Sequence, residues 1–204
     1  LNELTVPENH LPHQEYLDPV FAGTLKATDI SFTYPGEDYP IIQNFSLTLK
    51  RGQKAALIGP SGAGKSTILQ LILGDLKPNT GTVTLDKINV LSLQKERSKL
   101  FSVLNQEPFL FNTTIYENLK MANPDATADQ MMEILEKVQL ADFINSLPKK
   151  LDTEVAEAGA RFSGGQKERL ALARVLLQDT PIVLLDEPTV GLDPLTEQKL
   201  LNLV

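Results

Sequence analysis

Residues 55–74 read AALIGPSGAGKSTILQLILG, and this stretch changes character twice. The short apolar run AALIG (55–59) suits a buried strand, and KSTILQLILG (65–74) suits a helix that Gly74 stops. Between them, Gly59 to Ser66 fit G-x-x-x-x-G-K-[ST]. In such a loop Gly59, Gly62 and Gly64 let the chain curl through Pro60, Ser61 and Ala63, so that backbone N–H groups face phosphate oxygens. Lys65 neutralises the terminal phosphates, the Ser66 hydroxyl is placed to bind Mg2+, and Thr67 follows in the helix. A strand feeding a helix through this loop is the central unit of an α/β nucleotide-binding core.

Working outward, LKATDISFTY (25–34) alternates apolar and polar residues, PGEDYP is turn-prone, and IIQNFSLTLK (41–50) alternates again. Two antiparallel strands are expected there. GTVTLD (81–86) and FSVLN (101–105) read as further strands, separated by a short polar helix around Leu93–Arg97. Residues 114–146 are mainly helical in pattern, with Met131, Ile134, Leu135 and Val138 spaced for one apolar face. Ser163 is a candidate N-cap for GGQKERLALARVLLQ, in which Leu170, Ala173 and Leu177 share a face. PIVLLD (181–186) is a continuous apolar run of the kind found in strands buried on both faces. It ends in Asp186 and Glu187. A carboxylate at the end of a buried strand is the usual partner of a phosphate loop: Asp186 would hold Mg2+, and Glu187 would orient and deprotonate an attacking water.

The 204 residues are 42% hydrophobic and 22% charged, an ordinary globular balance. A net charge of -7 opposes attraction to nucleic-acid backbones, so nucleic acid is not an expected partner. The absence of cysteine excludes disulfides and thiolate metal sites. Residues 1–23 are polar and proline-interrupted and read as a linker, with His10 and His13 as solvated linker residues. Starting at Leu1 rather than Met, the chain reads as a piece excised behind a preceding transmembrane domain.

The order of these motifs resembles that of the ATP-binding cassette (ABC) ATPases. Tyr34 in SFTYPG is similar to the family's adenine-stacking aromatic, GPSGAGKST to Walker A, Gln106 in LNQEP to the Q-loop glutamine, and FSGGQ (162–166) to the signature LSGGQ, with Phe162 in place of leucine. IVLLDEP followed by GLD resembles Walker B and a D-loop ending at Asp193. The resemblance implies a P-loop NTPase (RecA-like) core sheet with an N-terminal antiparallel β subdomain and an inserted α-helical subdomain at about 107–165, all within an ATPase domain spanning 24–204. It implies two cassettes joined head to tail, as homo- or heterodimer, around ATP and Mg2+. Ser163, Gly164, Gly165 and Gln166 of one would close over the nucleotide held by the other, while Gln106 senses Mg2+ and the attacking water. A strand-end aromatic packed in the core is the alternative for Tyr34.

TEVAEAGARFSGGQ looks like the exporter branch, departing from its TEVGERG pattern at Ala156 and Ala158, and FSVLNQEPFLFNTTIYENL is similar to CydC-type subunits of heterodimeric thiol exporters. Such a domain would sit at the cytoplasmic face of the cell membrane. Phe109, Leu110 and Phe111 would either meet the transmembrane domain's coupling helix or be buried within the domain itself. A soluble ABC ATPase acting on nucleic acid or ribosomes is one alternative, and a non-catalytic nucleotide-binding module another. The family's switch histidine lies beyond the D-loop and the sequence ends at Val204. Slow hydrolysis is therefore expected of these residues alone, and faster turnover from a chain extended past Val204.

Overall fold

The computed structural model describes residues 23–155 and 162–187. They form two compact units: one comprises the described residues up to Ala55 with Gln70–Gln94, the other Ala56–Leu69 with the described residues from Lys95 onward.

In the first unit, β1 (Leu25–Phe32), β2 (Ile42–Leu49), β3 (Thr80–Leu85) and β4 (Ile88–Asn89) form an antiparallel sheet in the order β2-β1-β3-β4. β1 buries Leu25 and Ala27, then slips by one residue and buries Ile30 and Phe32. The slip is a bulge at Asp29, whose φ is 47° and whose N–H donates to Ser46 Oγ at 2.9 Å. The Ser46 hydroxyl donates back to Asp29 Oδ1 at 2.9 Å, so β2 pins the extra residue and the inward face resumes beyond it. Asp86 and Lys87, both at positive φ, turn β3 into β4, and the Asp86 carboxylate accepts the N–H groups of Gly23 and Thr24 at 3.0 and 2.8 Å.

Helix α1 (Lys65–Leu73) ends where the sequence predicts. Gly74 takes φ 76°, its N–H donates to Leu71 O at 3.2 Å, and the Asp75 N–H donates to Gln70 O at 2.9 Å. This pair of bonds needs a left-handed residue at position 74. A side chain there would also start 3.1 Å from Val90 O.

The second unit holds a two-stranded parallel sheet, β5 (Phe101–Leu104) against β6 (Ile182–Leu185), with Phe101 opposite Ile182 and Leu104 opposite Leu185. Around it lie α2 (Arg97–Leu100), α3 (Ile115–Lys120), α4 (Ala128–Lys137), α5 (Ala141–Ser146) and α6 (Gly164–Leu177). The apolar faces of α3, α4, α5 and α6 meet in one core that includes Leu104, Ile115, Met131, Leu135, Ile144 and Leu170. Thr127 starts α4 through a capping box, its hydroxyl accepting from the Gln130 N–H while Gln130 Oε1 accepts from the Thr127 N–H. Met131, Leu135 and Val138 are buried in that core and Ile134 packs against it, so the predicted apolar stripe is the one used.

Three expectations are corrected. AALIG forms no strand, and Ile58 is 94% exposed. An apolar run supplies propensity, but a strand exists through its ladder, and among the described residues β5 and β6 pair with each other and none pairs with 55–59. The helix expected at Leu93–Arg97 is instead two short pieces on either side. A 3-10 turn at Val90–Ser92, started by Asn89 Oδ1 accepting from the Leu91 N–H, ends at the buried Leu93, and α2 begins only at Arg97. PIVLLD does form β6, but of its residues Leu184 alone is buried, because that sheet has two strands. The linker residues 1–22, with both histidines, lie outside the described residues, as do Ala156, Ala158 and Asp193.

Candidate nucleotide site

The phosphate loop projects into solvent: Gly59 to Ala63 are exposed, Gly64 and Thr67 are buried, and Ser66 is exposed at the start of α1. Gly62 and Gly64 take φ 78° and 86°, the left-handed geometry that curls N–H groups inward. Lys65 folds back over its own loop, Nζ donating to Gly59 O at 3.1 Å and to Pro60 O at 3.0 Å. An ammonium has three donors and no acceptor, so this grip on two neutral carbonyls sets the loop's curvature and is readily exchanged for a stronger charge-assisted grip on phosphate.

The carboxylates stand at the end of the parallel pair. The Asp186 N–H donates to Leu104 O at 2.9 Å, continuing the ladder one residue past Leu185 and fixing where its side chain starts. Glu187 then turns left-handed, at φ 51°. A non-glycine residue there carries on the order of 1 kcal/mol of strain. Its Oε2 accepts from Gln106 Nε2 at 2.9 Å, across 81 residues of sequence. The structure thus brings together Gln106 and Glu187, two residues the sequence singled out for the same water. Among the described residues no hydrogen bond or ion pair joins Lys65 or Ser66 to Asp186 or Glu187.

The second glycine stretch is a helix start, as expected. Ser163 Oγ accepts from the Gln166 N–H at 3.3 Å and Gln166 Oε1 accepts from the Ser163 N–H at 2.9 Å, a reciprocal capping box. The box uses Gln166 Oε1 and one lone pair of Ser163 Oγ. The Ser163 hydroxyl proton stays free to donate, and the N–H groups of Gly164 and Gly165 stand in the first turn, where no earlier carbonyl of the helix reaches them. Beyond Gly164 a side chain would meet open space. Phe162 is buried and stacks edge to face on Phe143 of α5 at 5.1 Å, which accounts for an aromatic where the signature has leucine.

Tyr34 follows β1 in the first unit, 38% exposed, with its ring edge to face against Phe32 at 5.0 Å.

Two residues escaped the sequence reading. Asn118, fully buried, takes the Phe111 N–H on Oδ1 at 2.9 Å and donates Nδ2 to Phe111 O at 2.9 Å and Thr114 O at 3.0 Å. Arg174 donates Nη1 to Phe109 O at 2.8 Å and lays its guanidinium 5.2 Å from the centre of the Phe111 ring. Leu110, partly buried, packs against the core, whereas Phe109 and Phe111 are 71% and 40% exposed. Of the two fates left open for EPFLF, Leu110 takes partial burial and the phenylalanines are exposed. The signals were present: Asn118 is polar between the buried Ile115 and Leu119, and Arg174 interrupts the apolar run of α6.

A curled phosphate loop, a carboxylate pair at the end of a parallel strand, and a capped glycine pair opening a helix define an ATP-binding P-loop protein of the ABC class. The family model for ABC transporters matches residues 42–190, and the chain belongs to that family. It is 48% identical over 181 residues to the glutathione/L-cysteine transport system ATP-binding/permease protein CydD of Bacillus subtilis strain 168, covering 89% of this chain and 31% of that protein. It is 42% identical over 202 residues to the mitochondrial iron-sulfur clusters transporter ATM1 of Kluyveromyces lactis, covering 98% of this chain and 26% of that protein. Among solved structures, a bacterial Atm1-family ABC exporter with ATP bound matches with a TM-score of 0.84 and 34% identity, covering 94% of this chain and 33% of that one. The chain is a nucleotide-binding domain of the ABC exporter type, with the P-loop fold read from its sequence, and it spans about a third or less of these relatives.

Proposed function

We propose that residues 24–204 form an ATPase domain that binds Mg-ATP, closes head to tail on a second ABC subunit and powers export through a transmembrane domain, with 1–23 as the linker between them. The observation that carries this reading is the Gln106–Glu187 hydrogen bond at 2.9 Å. It puts an amide and a carboxylate, the groups needed to place and deprotonate a water, beside each other at the strand end that also bears Asp186.

In this reading the N–H groups of residues 59–67 and Lys65 bind the triphosphate, and Tyr34 stacks on adenine. Ser163, Gly164 and Gly165 offer the helix start of one subunit to the γ-phosphate held by the other. Gln166 acts through the cap, holding Ser163 in place. Glu187 accepts the proton of the attacking water, and Gln106 keeps the carboxylate aimed. Ser66, Asp186 and Gln106 would hold Mg2+. Their oxygen donors suit it, and among the described residues no cluster of three or more His, Cys, Asp or Glu forms a dedicated cage, in keeping with an ion that leans on phosphates and water. Bound there, Mg2+ would offset negative charge on the phosphates. The likeness to CydD supports a place among thiol exporters and a low-molecular-weight thiol as cargo; the sequence itself looked closer to the CydC-type subunit. Among the described residues no helix is long and apolar enough to cross a membrane, so passage through the bilayer falls to the transmembrane domain, with this domain at the cytoplasmic face.

The test is Glu187→Gln in the full-length transporter. ATP affinity should stay within about threefold while turnover drops on the order of a hundredfold or more, with ATP-loaded pairs accumulating. Normal turnover in that variant removes Glu187 from the role of base.

A further inference from the structure

The loop from Gln106 to Phe111 is held at three points by three different elements. At its start Gln106 bonds to Glu187 at 2.9 Å, after β6. In its middle the Phe109 carbonyl accepts from Arg174 of α6 at 2.8 Å. At its end Asn118 of α3 takes both the N–H and the carbonyl of Phe111 at 2.9 Å. The two phenylalanine rings meet edge to face at 5.1 Å, and the Arg174 guanidinium lies over one of them.

Arg174 is an expensive way to fill that space. Burial pushes its guanidinium below the usual arginine range, and its Nε is buried with no acceptor among the described residues. A methionine would occupy the same volume without desolvating a charge, which makes a purely packing role a poor explanation. What a methionine could not do is pull on the Phe109 carbonyl. Arg174 stands eleven residues after Ser163, about 16 Å along a helix whose buried face locks it to the core. A rigid helix carries a displacement at its first turn to its last.

We propose that Arg174 is a positioning residue that ties the helix opened by Ser163 to the Gln106–Phe111 loop, so that nucleotide engaging the SGGQ start shifts the exposed Phe109–Phe111 pair. This rests on the reading of SGGQ as the second half of an ATP site. Asn118 fixes the far end of the loop, so a pull at Phe109 tilts the aromatic pair instead of sliding the loop.

Hydrogen–deuterium exchange at 106–111, with and without saturating Mg-ATP, tests this in the full-length protein. In the wild type, Mg-ATP should slow exchange there by about fivefold or more. Arg174→Met should keep ATP affinity within about threefold and lose that slowing, while Arg174→Lys, which keeps the charge but not the planar fork, should retain less than about half of it. A structural role alone would raise exchange equally in both states and leave the ratio intact. The inference fails if Arg174→Met slows as the wild type does, if its slowing falls only in step with ATP occupancy, or if the wild type binds ATP without slowing. Should Arg174→Met not fold, Phe111→Leu decides: it removes the ring beneath the guanidinium, and an unchanged ratio overturns the proposal while one below half supports it. A wild type that binds no Mg-ATP would instead sink the functional reading, a separate result.

Discussion

GPSGAGKST and SGGQ both gather backbone N–H groups at a helix start, yet the two are supported differently. The first curls around the ammonium of its own Lys65, with Gly59 to Ala63 exposed and the preceding AALI unpaired among the described residues. The second is closed by a four-residue capping box and rides on a 14-residue helix, of which Leu170, Leu172 and Ala173 are fully buried. One cradle depends on a charged side chain that its ligand must recruit. The other is complete in backbone before any ligand arrives. Binding energy should therefore concentrate at the first, and shape and timing at the second.

The largest effects should separate the two supports. Leu170→Ala empties a fully buried position in α6 and should cost about 3 kcal/mol of stability, read as a drop in thermal midpoint. It attacks the second cradle through its foundation. Lys65→Ala should do the reverse, leaving the thermal midpoint without nucleotide nearly unchanged, because the loop is exposed, while ATP affinity falls by about 3 kcal/mol, on the order of a hundredfold. If Leu170→Ala weakened ATP binding by the single domain as much as Lys65→Ala does, the two cradles would not be separately supported.

The same contrast explains what could be read in advance. Signals confined to a few residues were legible: Ser163 as the N-cap of its helix, Gly74 just past its helix, and the spacing of Met131, Leu135 and Val138. Each is a local geometric demand that a residue type meets by itself. AALIG failed because strand formation depends on a neighbour whose place the run does not encode. β6 was found, but its burial was overstated for the same reason. The Gln106–Glu187 contact spans 81 residues; the two were paired in advance by family resemblance and not by spacing. Arg174 and Phe109 lie 65 apart, and nothing periodic links them. Asn118 is seven residues from Phe111, but its bonds depend on a loop conformation, which hydrophobic patterning does not specify.

Smaller effects sharpen the comparison at Ser163. Alanine should cost about 1 kcal/mol by leaving the Gln166 N–H without its acceptor. Aspartate is as good a cap as serine and should keep stability near the wild type, but it sets a negative charge where the γ-phosphate would rest. Ser163→Asp should therefore abolish ATP-driven pairing, measured by light scattering, while ATP binding to the single domain persists. Pairing that survived aspartate would reduce SGGQ to a helix start and nothing more.

The smallest expected effect lies one turn further along α6. Burial raises the Glu168 carboxyl above its usual range, only partly offset by the neighbouring Arg169, and its Oε2 is buried without a donor among the described residues. The folded state then holds this proton more tightly than the unfolded state does. Between the unfolded and folded pKa values the unfolded chain binds fewer protons, so this group's contribution to stability falls as pH rises through that window. The penalty is absent below the unfolded value and complete above the folded one. Glu168→Gln removes the titration, so the variant should match the wild type in strong acid and gain on it as pH rises, with the difference constant once the pH is above the folded-state pKa. Solvent near the carboxylate screens the effect, so pH-dependent denaturant midpoints are the measurement with enough precision. A difference independent of pH would mean that Glu168 sits in α6 at no electrostatic cost.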